Sequence, residues 1–251
     1  MRNIKLVLAY DGTDFCGWQR QNRERTVQGE LEDRLTLMTK VPVTVHGAGR
    51  TDAGVHALAM VANFQTQANI SCLAFKKGLN SLLTTDLRVV AVSEEDSNFH
   101  ARCSAKAKTY RYHFSTAEMI MPHARRYRAR VVGPLDIGAM EQCLAQLMGR
   151  HDFSSFEATG SRDLDYHGGR GAVRTIMAAS VEQEDGDDYC LTIRGDGFLR
   201  KMVRNIAGTL FAVGRGQISV AGFKGLMAAR DRSQAGATAP ACGLFLVEIF
   251  Y

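Results

Sequence analysis

The sequence is poor in proline, with 4 in 251 residues, and no apolar run approaches the roughly 18 residues that a membrane span needs. It has no Cys-x-x-Cys pair. The 6 cysteines stand at 16, 72, 103, 143, 190 and 242, no two closer than 31 residues. Scattered in this way they fit neither a zinc ribbon nor a redox motif, and are expected to be reduced, half-buried small hydrophobes. The 7 histidines offer no His-Glu-x-x-His, so no metal is expected. The opening Met1-Arg2-Asn3-Ile4-Lys5 lacks the apolar core of a signal peptide, which makes a cytoplasmic protein the expectation. With 45% hydrophobic and 23% charged residues, the chain is neither disordered nor collagen-like. Its length suits one large domain or two modest ones.

What charge there is, is unevenly placed. The net charge is +5. Between His100 and Arg130 stand Arg102, Lys106, Lys108, Arg111, Arg125, Arg126, Arg128 and Arg130 against a single acid, Glu118, for a local net of +7. Of the 31 basic residues 23 are arginine, the side chain suited to bidentate phosphate contact and to stacking on bases. The run could be a solvated basic strand. The interleaved Tyr110, Tyr112, Phe114 and Tyr127 favour a nucleic-acid surface.

The apolar periodicity predicts alternating strands and helices. Strands are expected at Lys5–Tyr10, Val43–His46, Ala57–Phe64, Leu87–Val92, Lys106–Ser115 and Gly243–Phe250, with a hairpin of Val173–Glu184 and Tyr189–Arg194. Helices are expected after the N-caps Thr26 and Ser71, and over Ile137–Met148, Leu199–Val213 and Val220–Ala229. At 100° per residue Arg200 and Arg204 fall on one polar side of the Leu199–Val213 helix, opposite Met202, Ile206 and Leu210. The acidic run Glu184-Asp185-Gly186-Asp187-Asp188 reads as a solvated turn, and the polar, Gly-rich Gly160–Gly171 as a loop. Strands and helices mix in both halves, which predicts two α+β domains, 1–102 and 103–251.

The densest cluster is Gly47-Ala48-Gly49-Arg50-Thr51-Asp52-Ala53-Gly54-Val55-His56. It fails as a dinucleotide fingerprint, because Asp52 stands where the third glycine is needed. It also fails as a P-loop, because Val55 replaces the lysine. What remains is an aspartate beside Arg50 and among small residues that would let a planar ligand approach the backbone. Such a carboxylate can serve as nucleophile, general base or electrostatic stabiliser. A structural turn is the other reading that the residues allow. Tyr110 is open in the same way, since Tyr112 and Phe114 share its face by period 2 and all three could simply pack.

Gly49-Arg50-Thr51-Asp52-Ala53-Gly54-Val55-His56 resembles the active-site signature of the tRNA pseudouridine synthases that act on positions 38, 39 and 40 of the anticodon arm. Other blocks agree in order along nearly the whole chain. They are Tyr10-Asp11-Gly12 with Phe15-Cys16-Gly17-Trp18-Gln19-Arg20-Gln21, then Thr26-Val27-Gln28, Phe99-His100-Ala101-Arg102, and Lys108-Thr109-Tyr110-Arg111-Tyr112. His151-Asp152-Phe153, Val173-Arg174-Thr175-Ile176, Met202-Val203-Arg204-Asn205 and Gly243-Leu244-Phe245-Leu246 complete the series. The link from Glu157 to Ala172 departs from the pattern, being longer and carrying Asp163 and Asp165.

The resemblance implies an isomerase that breaks the uridine C1′–N1 bond, turns the detached base and rejoins it through C5. It implies Asp52 as nucleophile, Arg204 as its ionic partner, and Tyr110 stacked on the uracil close to the C5 proton. It also implies Arg50, Arg20, Arg111 and Leu244 as substrate contacts, with Arg50 helping to hold the nucleotide extruded. The implied fold is two domains with antiparallel sheets side by side, helices on the outer face and a basic cleft between them. The implied assembly is a homodimer on a tRNA anticodon arm, with no cofactor, metal or membrane. A synthase acting on another RNA, and a catalytically silent RNA-binding module, are the rival expectations.

Overall fold

The computed structural model describes residues 1–161 and 169–251; Asp163 and Asp165 of the long link lie outside them. Among the described residues are five α-helices and a multi-stranded β-structure, a mixed α/β fold. No helix among them is long and apolar enough to cross a membrane. The backbone divides into two compact units, Met1–Lys106 with Phe245–Tyr251, and Ala107–Leu244. The first unit thus ends four residues beyond the expected boundary, and the closing strand belongs with it rather than with 107–244.

In the first unit β1 (Arg2–Tyr10) lies between β3 (His56–Thr66) and β4 (Leu87–Glu95), antiparallel to both. Its alternation puts Ile4, Leu6 and Leu8 wholly out of solvent, and full burial of each such side chain contributes about 2 kcal/mol. Helices α1 (Val27–Thr39) and α2 (Cys72–Leu82) supply Leu31, Leu35, Phe75 and Leu79 to the same core. Both begin where expected, because Thr26 and Ser71 accept the orphan amides of Gly29 and Ala74. Expected strand Val43–His46 is reduced to β2 (His46–Gly47) against β3; Val43 and Val45 are buried without joining the ladder.

The last strand, β10 (Leu244–Phe250), runs parallel to β3, with Phe245 opposite His56 and Leu246 opposite Ala57. The sheets are therefore not purely antiparallel, a correction to the expected fold. No short turn joins these two strands, so nothing imposes hairpin geometry on them. Lys106 N donates to Phe250 O at 2.8 Å and Tyr251 Oη to Ala101 O at 2.8 Å, holding the strand's end.

An ion pair ties the segment before α1 to this sheet. Arg25 grips Asp86 through two bonds of 2.7 and 2.9 Å and lies 4.1 Å from the centre of the Phe15 ring. That guanidinium lowers the Asp86 carboxyl to about 2. A depressed carboxyl stabilises the fold above its unfolded value near 4 and loses that contribution as pH falls towards 2. Asp86→Asn should therefore cost about 1–2 kcal/mol at pH 7, after allowance for partial exposure, and only a few tenths at about pH 2. Urea unfolding at the two pH values measures the difference.

In the second unit β5 (Ala107–Ser115) pairs with β9 (Asp188–Gly195), β9 with β8 (Val173–Asp185), and β8 with β7 (Gly149–Asp152), all antiparallel. The two-residue β6 (Ala129–Arg130) runs parallel to β5. Helices α3 (Ile137–Leu147), α4 (Met202–Gly214) and α5 (Val220–Ala229) pack together; α3 also lies on β8 and α4 on β5.

Helix α4 starts three residues later than the expected Leu199, because Lys201 takes a left-handed φ of 60°. Arg200 is therefore outside the helix, and its expected place beside Arg204 fails. The helix has no solvated polar side either: of Met202–Gly214 every residue except Arg204 is buried.

Candidate active site

The segment carrying Asp52 is a turn clamped from one side by residues 10–18. Asp52 O accepts the amide of Val55 at 3.2 Å, and Gly54 takes a φ of 76° to close the turn. Before Asp52, Thr51 is held twice: its carbonyl by Trp18 N at 3.0 Å and its hydroxyl by Tyr10 Oη at 2.8 Å. After it, Gly54 N donates to Phe15 O at 3.4 Å. Gly12 packs so tightly that a Cβ there would fall 2.0 Å from Val55 O. The result is a half-buried carboxylate on a backbone with little freedom to move.

One of the small residues, Gly47, serves the fold. Gly47 makes room for this chain's own indole, since a Cβ there would lie 2.4 Å from the Trp18 ring. Trp18 itself is 2% exposed. It is thus a protein ring, and not a planar ligand, that approaches the Gly47 backbone.

Arg50 is exposed next to this turn. Arg20, also expected to meet the substrate, is bound to α1: it pairs with Glu32 at 3.1 Å and Asp33 at 2.9 Å. The hydrogen bonds it donates to Asp33, and then to Glu32, raise its affinity for its proton. Glu32 in turn accepts the Val45 amide at 3.0 Å, so Arg20 joins the network that fixes the approach to the turn.

In the second unit the period-2 pattern of β5 resolves into two faces. Tyr110, Tyr112 and Phe114 all point to the α4 side and are buried. Tyr112 is a core residue: its hydroxyl donates to Pro240 O at 2.8 Å, and burial pushes its proton affinity far above the usual phenol range. Phe114 lies 4.9 Å from Phe211 of α4. Tyr110, 8% exposed, meets Phe198 edge-on at 5.1 Å. Arg111 projects to the other face and is exposed, so strand geometry does not bring it together with Tyr110. Leu244 is 5% exposed, an apolar wall rather than a surface contact.

Arg204 is aimed by backbone. Its Nε donates to Ala239 O at 2.8 Å, and Ala239 N donates back to Arg204 O at 3.1 Å. The strap carrying Ala239 is fixed by the buried Asn205, whose Oδ1 accepts from Thr238 Oγ1 at 2.7 Å and Arg232 Nη2 at 3.1 Å. Sequence reasoning assigns no function to Tyr10, Gly12, Trp18 or Asn205. All four fall within matching blocks; no sequence signal marks their contacts some 30 to 40 residues away.

The basic run is less uniform than its arithmetic. Of its basic residues only Lys108, Arg111 and Arg130 lie in strands, and Arg128 is neutralised by Asp188 and by Glu184 at 3.7 Å. The acidic turn, given no function from sequence, is thus its counter-charge. Arg125 and Arg126 are exposed. His113, Glu184 and Cys190 are the one group among the described residues whose donor atoms lie within 4.8 Å of one another, as a metal site would need. The Arg128 guanidinium already supplies positive charge to that Glu184.

The sequence profile described as tRNA pseudouridine synthase matches residues 6–103 and 144–251. The tRNA pseudouridine synthase A 1 of Desulfotalea psychrophila is 48% identical over 251 residues, the whole of both chains. The tRNA pseudouridine synthase A of Lacticaseibacillus casei is 42% identical over 253 residues, again the whole of both. That of Maridesulfovibrio salexigens is 41% identical over all of this chain and 91% of its own length. The protein is an isomerase that acts on RNA. It belongs to the tRNA pseudouridine synthase family.

Proposed function

We propose that this enzyme converts uridine to pseudouridine at positions 38, 39 and 40 of the tRNA anticodon stem-loop, with Asp52 as nucleophile. The observation that carries the reading is the clamped turn, whose backbone is held by bonds on both sides of the half-buried Asp52. Attack at C1′ or at the base demands the same thing, an ionised carboxylate aimed before the substrate arrives. The C1′–N1 bond breaks, its electron pair leaving with N1. The base turns, C5 bonds to C1′, the C5 proton departs and N1 gains one. Atoms and electrons balance with no co-reactant.

Arg204, fixed at its Nε, is the counter-ion for Asp52 in this reading. Tyr110 stacks on the uracil and receives or relays the C5 proton, which Tyr112, with its hydroxyl committed to Pro240, is not placed to do. A paired uridine must first leave its stack, at a cost of a few kcal/mol. Arg50 helps hold it out and Leu244 is an apolar wall for the base, while Arg111, on the other face of β5 from Tyr110, and Arg20 contact the RNA away from the uracil in this reading. Two domains around a basic cleft, a homodimer and a cytoplasmic location complete the proposal.

The test uses tRNA tritiated at uridine C5. Tritium release from anticodon-arm uridines is expected with the native chain, and none from a transcript in which those uridines are replaced by cytidine. Absence of release from the first transcript refutes the reading.

Phosphate binding has its own test. Replacing the exposed Arg125 by alanine should flatten the plot of log affinity for tRNA against log salt by about 0.7–0.9 for each phosphate no longer neutralised. Arg128→Ala should change the slope less, because Asp188 and Glu184 already neutralise it. Equal effects would count against this division.

A further inference from the structure

We propose that His56 is a positioning residue for Asp52, acting through a hydrogen bond that its ring accepts from the backbone amide of Gly12. The inference rests on the reading of Asp52 as nucleophile and adds a residue to that reaction.

His56 opens β3 directly after the Asp52 turn and is 1% exposed. Gly12 N donates to His56 Nδ1 at 3.0 Å. The ring is held flat against Phe245, with centroids 4.5 Å apart and planes 21° from parallel. The same Nδ1 lies 3.2 Å from Asp11 Oδ1. One in-plane position on a ring nitrogen cannot both accept from an amide and donate to a carboxylate. We assign the amide bond, because Asp11 Oδ1 already accepts the Thr13 amide at 3.0 Å and the Thr13 hydroxyl at 2.6 Å.

The path from His56 to Asp52 runs through backbone. Gly12 lies against the Val55 carbonyl, and Phe15, Trp18 and Tyr10 of the same block hold Gly54 and Thr51. The Gly12–His56 bond is the cross-link between the block and the end of the turn. Without it, residues 10–18 can part from Val55, and Asp52 loses its aim. The expected signature is a loss in kcat at unchanged KM, because His56 is buried and offers no surface to RNA.

Two amides of similar polarity make the test. In His56→Asn the side-chain oxygen sits at the distance from Cβ that Nδ1 occupies, so it can accept from Gly12 N. In His56→Gln the amide extends to the region of Nε2 and cannot. Steady-state tritium release by the full-length chain should show kcat for His56→Gln lowered on the order of 10- to 100-fold, with KM for tRNA unchanged, while His56→Asn stays within about threefold of wild type. Equal rates for the two variants, or a rise in KM in place of a fall in kcat, overturn the proposal. Measured in parallel, Asp52→Asn separates the two levels. A wild-type rate there overturns the reading of Asp52 and this inference with it; an inactive Asp52→Asn beside equal His56 variants overturns only the inference.

Discussion

Asp52→Asn should lower tritium release from C5-labelled tRNA by on the order of 10⁴-fold or more, with tRNA affinity near that of the native chain. The substitution is isosteric, and it leaves in place the Asp52 carbonyl, both groups of Thr51 and the amide of Gly54, whose bonds shape the turn. The backbone is therefore retained while the attacking charge is removed. Affinity should stay because the proposed contacts to phosphate come from arginines elsewhere. Asp52→Glu refines the point. It keeps the charge but carries it one methylene further along a turn that cannot give, and should recover only a small part of the rate. Release by Asp52→Asn within tenfold of the native rate would falsify the assignment.

The second large effect is on Gly208. A Cβ at this position in α4 would lie 1.7 Å from Ala237 O, which no rotamer can relieve, because the neighbour is backbone. Gly208→Ala must push the strap off the helix. That breaks the two bonds between Arg204 and Ala239 and strains those from Thr238 to Asn205 and from Gly236 to Thr209. The cost should be about 2–3 kcal/mol, lowering Tm by roughly 5–10 °C. Activity should fall further than stability at assay temperature explains, since the guanidinium of Arg204 loses its anchor. Gly225→Ala is the control. It sits in exposed α5 with open space around it, and should stabilise by about 0.5–1 kcal/mol through helix propensity. A Gly208→Ala protein with native Tm and rate would show that the strap is not held as described.

Much of the fold is legible because its signals are local. Thr26, Ser71, Asp136 and Ser219 cap the helices that follow them, and the alternation in β5 marks the buried face. The start of α4 is not legible, because the left-handed Lys201 leaves no mark in apolar periodicity. The supposed polar side of α4 misleads because a 3.6-residue pattern reports which residues are polar, not what else packs on them. Asn205 and Thr209 are wholly buried, satisfied by the strap and by Phe156 O. Of the candidate site, Asp52 and its neighbours stand out as a motif, whereas the clamp on them joins residues 10–18 to 51–56. Such pairings follow from the register of β1 on β3, which composition cannot supply. The Arg128 cluster is hidden for a simpler reason: charge counted along the chain ignores the acids that a hairpin returns to it.

The placement of β10 bears on biosynthesis. Phe245, whose ring holds His56 flat, and Tyr251, which closes on Ala101, are made after all of residues 107–244. A ribosome translating this message therefore assembles the second unit before the first can be finished. Until then the segment that carries Asp52 lacks one wall, the Phe245 ring against His56. Completion of the Asp52 turn's support is in this way coupled to synthesis of residues 245–251.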